Sequence, residues 1–130
     1  PAVRAALPDG VVTATPPGWP GDLPGPGAGL AEHVTGWLPD RLPPEYRTSP
    51  LRRYPLVLAM CARLHAQSTL AGTRDVYRDL RAELRDHLDP TDIQAALVGL
   101  EDLAAQFGRS EREIELVEQA LRGHVWRPRL

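Results

Sequence analysis

Lysine and asparagine are missing from this chain, cysteine occurs once, and isoleucine stands only at Ile93 and Ile114. All 15 basic residues are therefore arginine, the composition expected of a GC-rich bacterial coding sequence rather than of a particular chemistry. An excess of positive charge is lacking too. With a formal net charge of -2 and an isoelectric point near 6.1, the chain has no diffuse attraction for a phosphate backbone, so nucleic acid is disfavoured as a partner unless a local basic patch supplies it. With Cys61 alone, an intramolecular disulfide is excluded and a cysteine-built zinc site lacks ligands. A reducing cytoplasm is the expected setting. The most apolar run, Leu56 to Cys61, is far below the ~20 residues that cross a bilayer, so no membrane association is expected. No basic stretch leading into an apolar one opens the sequence, and no export signal is expected.

Proline and glycine are abundant, and unevenly placed. The first 50 residues hold 11 of the 14 prolines, and residues 1–29 alone hold seven prolines and six glycines. Proline lacks the N–H that a helix needs and glycine carries the largest backbone entropy cost, so residues 1–29 read as an extended arm of polyproline and turns. A short strand is expected from Val11 to Thr15, after the turn signal Pro8-Asp9-Gly10. Trp19 is the expected anchor of the arm, with Leu23 beside it.

From Leu30 onward the pattern is helical, and residues 30–130 read as one helical domain. Leu30, Val34, Trp37 and Leu38 make one apolar face of a short helix over 30–38. Ser49 offers an N-cap oxygen with Pro50 at the first helical position, so a long helix is expected over 50–88, opening there or at Pro55. From Pro55 to Leu88 it would span roughly 50 Å. Asp89 and Pro90 end it and start a second long helix over 90–122, closed by Gly123. That helix carries Ile93, Leu97, Leu100, Ala104, Phe107, Ile114 and Leu121 in a heptad seam, interrupted by Glu111 and Glu118.

So short a connection forces the two long helices antiparallel, as a coiled-coil-like hairpin. The register places Ala71 opposite Phe107, Leu64 opposite Ile114 and Val57 opposite Leu121. Val57, Leu58, Met60, Cys61 and Leu64 cover more than one face of the first long helix, which two helices alone cannot bury. An all-α fold is therefore expected, completed as a bundle by self-association or by a protein partner. Val57, Met60, Cys61, Leu64 and Trp37 are the candidate interface.

Arg74, Arg78, Arg81 and Arg85 fall at i, i+4, i+7 and i+11, lining one helix face as a candidate receptor for an anionic ligand such as a nucleotide. Asp75 and Asp79 stand alongside, and the plainer reading is a solvated face with Asp75 paired to Arg78. Glu111, Glu115 and Glu118 form an acidic stripe that the register brings near Arg63 and His65, as expected of salt bridges between helices. The tail residue Trp126 is expected to pack back on the helices.

Leu103 to Val117 (LAAQFGRSEREIELV) resembles a DNA-binding helix-turn-helix, with Ala104, Gly108, Ile114 and Val117 at the required places and Ser110 and Glu113 as a capping box. The resemblance implies a bend at Gly108 and a transcriptional regulator. Arg109 stands where an apolar residue usually plugs the turn, and Glu111, Glu113, Glu115 and Glu118 would repel phosphates. The heptad reading instead carries one continuous helix through Gly108.

No phosphate-binding glycine loop, nucleophile elbow or zinc-protease pattern occurs, and His33, His65, His87 and His124 have no ligand spacing. No catalytic residue, metal or cofactor is expected. The expected function is a non-enzymatic interaction or regulatory module, a homodimer or the binder of another protein.

Overall fold

The computed structural model describes residues 13–128 and is all-α, with no strand among the described residues. Helix α1 is Leu30–Trp37, α2 is Pro55–Leu84 and α3 is Pro90–Leu121. Three short 3-10 turns, Leu38–Arg41, Pro44–Arg47 and Pro50–Arg53, join α1 to α2.

Proline places most of the boundaries. Gly29, at φ 86, takes the left-handed conformation that opens α1. Leu30, Ala31, Val34 and Trp37 form its buried face, and Pro39 tightens the exit into a 3-10 turn. Ser49 does cap, its Oγ accepting from the Leu51 N–H at 3.2 Å, but it caps only the turn Pro50–Arg53. Of the two expected openings of the long helix, Pro50 and Pro55, the structure takes Pro55. The ring of Pro55 drives Tyr54 out of the helical region to φ -123, ψ 82. At its far end α2 stops at Leu84 rather than 88, where the His87 and Leu88 amides both turn back onto the Leu84 carbonyl. Helix α3 closes where Gly123 (φ 92) lets its own amide reach the Ala120 carbonyl and the His124 amide reach that of Gln119, a Schellman motif.

Helix α3 is continuous through Gly108. The turn that a helix-turn-helix requires is not formed, and no separate recognition helix exists. Seen from α3, the local preference of Ser110 for a cap is overridden by a seam that keeps Ile93, Leu97, Ile114 and Leu121 buried.

The chain divides into two compact units. One comprises residues 13–64 and 112–128, the other His65–Glu111, so α2 and α3 each contribute a segment to both. In the first unit the buried side chains come from the arm, α1, the 3-10 turn after it and both long helices: Leu23 of the arm, Val34 and Leu38, Leu58, Ala59 and Ala62 of α2, and Ile114, Val117 and Leu121 of α3. Pro16, Pro20 and Pro26 are buried with them. The second unit is a two-helix hairpin around Leu80, Ile93 and Leu97, flanked by Leu84, Ala96 and Leu100. There the Tyr77 hydroxyl donates to Glu101 and Arg81 donates to Gln94, contacts that close toward the connection as in an antiparallel pair.

The expected facing pairs need correction on the α2 side. Ile114 and Leu121 are buried and Phe107 is half-buried, but Val57, Leu64 and Ala71 are exposed. The inner face of α2 in the first unit is Leu58, Ala59 and Ala62, whose two alanines admit close approach. Residues 55–64 are apolar almost all round, so spacing alone does not select which stripe turns inward.

The arm is held as much by its prolines and Leu23 as by Trp19, which is only half-buried. Trp19 stands edge-on to Trp126 with ring centroids 6.0 Å apart, and its indole N–H donates to the Pro24 carbonyl. Trp126 thus packs on the arm. The Ala14 amide donates to the Trp126 carbonyl at 2.7 Å, and the Thr13 hydroxyl accepts from the Trp126 amide at 2.8 Å. Residues 13–15 form no strand, and Val11 and the turn before it lie outside the described residues.

Candidate functional site

The first candidate is a face of α2. Val57, Met60 and Leu64 are 41%, 42% and 61% exposed, with Cys61 half-buried between them and exposed Tyr54 one turn before. Their spacing of i, i+3, i+4 and i+7 puts them on one stripe, opposite the inner stripe of Leu58, Ala59 and Ala62. Along its edge the Tyr46 hydroxyl meets the Cys61 thiol, and burial first, then that thiol, raises the hydroxyl above its usual pKa. Cys61 is thereby a packed neighbour of the connector.

Trp37, expected to share this face, does not. It is 6% exposed, its indole N–H donates to Asp22 at 2.9 Å, and the Arg41 guanidinium lies 3.6 Å over its ring. Arg41 also reaches Asp22 at 3.3 Å and the Trp37 carbonyl at 3.0 Å. The Trp37 N–H, assisted by Arg41, holds the Asp22 carboxyl below its usual pKa. The apolar ring is used to seat the arm, so it is unavailable to a partner.

Glu118, one of the two breaks in the α3 seam, is the buried charge of the first unit. Its carboxylate accepts from Arg63 at 2.8 Å and from Arg122 at 3.3 Å, which fulfils the salt-bridge reading for this member of the acidic stripe. A buried carboxylate between two guanidinium groups is a structural tie.

The arginine stripe lies in the second unit. Arg78 is taken by Asp79 at 3.1 Å and Asp75 at 3.0 Å, both of which hold its proton more tightly. Arg74 is exposed and, among the described residues, forms no ion pair. Arg81 and Arg85 instead line a concavity of about 550 Å3 at the hairpin connection, with Ala82, Leu88, Pro90 and Ile93 as its apolar wall and Gln94 beside them. The four-residue receptor is thus split by its own acids, leaving two arginines at one end.

A second concavity of about 550 Å3 was not foreseen. It is an open one, lined in the first unit by Arg47, Arg52 and Arg53 with Thr35, Thr48, Ser49 and Pro50. The signal was in the run Arg47 to Arg53 (RTSPLRR), where three arginines and two hydroxyls occur without an acid. Attention to helical spacing passes over such a run because it lies in a connector.

Among the described residues no group of three His, Cys, Asp or Glu side chains is placed to hold a metal, and no helix is long and apolar enough to cross a membrane. The fold defines a class, an all-α chain, and no more. No protein-family model, curated protein or solved structure matches the chain.

Proposed function

We propose that this chain is a non-enzymatic helical interaction module, regulatory in role, that associates with a second copy of itself through the outer face of α2. The supporting observation is the exposed stripe of Val57, Met60 and Leu64 around Cys61, on a helix segment whose opposite face is already buried. A segment apolar on both sides belongs between two layers, and the chain supplies one of them. A homodimer closes such a surface without a further gene product, because a two-fold axis lets one patch meet itself. The lone cysteine suits a reducing bacterial cytoplasm, where we place the protein.

Sedimentation analysis across micromolar concentrations tests this directly. A dimer that Leu64→Glu or Met60→Glu converts to a folded monomer is the expected result. A monomer at every concentration overturns self-association, and a dimer indifferent to both substitutions moves the interface elsewhere. A second reading, binding of an anionic small ligand, is favoured only at the hairpin connection. There Arg81 and Arg85 share a concavity with Leu88, Pro90 and Ile93, which suits an anionic group carried on an apolar body.

A further inference from the structure

We infer that the concavity of Arg47, Arg52 and Arg53 is a binding site for the phosphoryl group of a small diphosphate-sized ligand, independent of the α2 face. Three arginines and the hydroxyl residues Thr48 and Ser49 line it, and no carboxylate is among the lining residues. Asp40 pairs with Arg47 at 3.3 Å, and both partners of that pair are exposed. Such a pair exchanges readily for a better anion. Among the described residues Arg53 forms no ion pair. Arg52 is already positioned, its Nη1 donating to the Arg47 carbonyl at 2.9 Å, which leaves its remaining N–H groups for a ligand.

The hydroxyls fit the same role. Ser49 accepts from the Leu51 amide through Oγ, so its proton is free to donate outward, and Thr48 beside it is exposed. Thr35 forms only wall, because its hydroxyl donates to the Glu32 carbonyl at 2.8 Å. The frame is stiff: Pro43, Pro44, Pro50 and Pro55 limit the backbone on both sides, so little order has to be imposed when a ligand arrives. Guanidinium forks match the oxygens of a phosphoryl group in pairs, and three of them exceed what a single carboxylate can engage. The concavity, about 550 Å3 and open to solvent, leaves room beside three arginines for more than one phosphoryl group, hence the diphosphate size.

Calorimetric titration of the full chain with pyrophosphate and with inorganic phosphate, at ~150 mM chloride, provides the test. Saturable binding of one pyrophosphate is expected, with phosphate weaker. Arg53→Gln, whose side chain has no ion pair to lose, should weaken pyrophosphate about tenfold or more at unchanged helicity, and Arg47→Gln likewise. Arg109→Gln, in the second unit and lining neither concavity, should leave binding unchanged. Absence of saturable heat overturns the site, as does equal binding by Arg53→Gln. Sedimentation with phosphatidylglycerol vesicles separates the sources of the phosphoryl group. Capture by vesicles that depends on Arg53, without binding of soluble pyrophosphate, overturns the small-ligand proposal in favour of a lipid headgroup.

Discussion

Residues 13–64 and 112–128 bury side chains from the arm, from α1 and from the ends of both long helices, whereas His65–Glu111 buries little beyond Leu70, Leu80, Ile93 and Leu97. The same two helices run through both regions. What differs is a third layer, which the first region has in α1 and the proline-rich arm and the second lacks. Two amphipathic helices can bury one seam against each other, and the outer half of each remains wet. Adding a layer turns that seam into an interior where Val34, Leu38, Leu58 and Val117 reach full burial. A proline- and glycine-rich arm that cannot itself be helical thus supplies part of what makes the first unit a core.

Substitutions that remove volume break or sharpen this comparison most strongly. Leu58→Ala in the first unit should lower stability by about 2 to 5 kcal/mol, as expected for a fully buried leucine. Leu97→Ala should act locally instead, raising amide exchange within His65–Glu111 while the exchange of Val34 and Leu58 holds. If both variants lower the urea midpoint alike and accelerate exchange everywhere, the two units unfold as one and the contrast is only one of packing. Next in size is Glu118→Ala, which leaves Arg63 and Arg122 without their shared carboxylate. Its loss of about 1 to 3 kcal/mol should exceed that of Glu113→Ala on the same helix, measured by the same denaturation.

How far the residues alone reveal this arrangement depends on what each region asks of them. The two long helices were legible because Pro55, Pro90 and Gly123 punctuate them and because the α3 seam from Ile93 to Leu121 keeps one period. The opening at Pro55 rather than Pro50 was open at that level, since two prolines each offer a first helical position and only Tyr54, pushed aside by Pro55, decides between them. The stripe of Val57, Met60, Cys61 and Leu64 was visible as excess apolar surface. Its inner counterpart was not, because in a segment apolar all round the choice of inward face belongs to tertiary packing. Trp37 was misplaced for a related reason: its spacing marks it as apolar, and nothing in the spacing says that Asp22 and Arg41 enclose it. The basic connector escaped notice because its order arises from 3-10 turns that leave no periodic trace.

Smaller effects probe how the third layer is fastened. Trp37→Phe removes the N–H that reaches Asp22 and leaves a smaller ring in a buried place, so it should cost about 1 to 2 kcal/mol. Trp19→Phe removes an exposed hydrogen bond to the Pro24 carbonyl and should cost less. Equal losses in thermal melts would mean that the tail contact at Trp126 fastens the arm as firmly as the contact at Asp22.

The smallest expected effect is an acid-dependent one at the same fastening. Asp22 accepts from Trp37 and faces Arg41, and these hold its carboxyl below the value of 3.8 that it takes in an unfolded chain. A carboxyl whose pKa is lower in the folded state binds its proton more weakly there. Its stabilising contribution is therefore fully present above the unfolded value, and it disappears as the pH falls through the lower folded value. Asp22→Asn keeps an oxygen for the Trp37 N–H and removes the charge, so the stability difference between wild type and variant should shrink as the pH is lowered from about 5 to about 2. Other carboxylates titrate in both proteins and cancel in that difference. The carboxyl side chain is 62% exposed, so screening by water and salt keeps the change small, and higher salt should diminish it further. Urea midpoints measured for both proteins along this pH series decide the matter. A difference that stays constant to the acid end would show that the charge of Asp22 does not hold the arm, leaving the neutral hydrogen bond from Trp37 as its fastening.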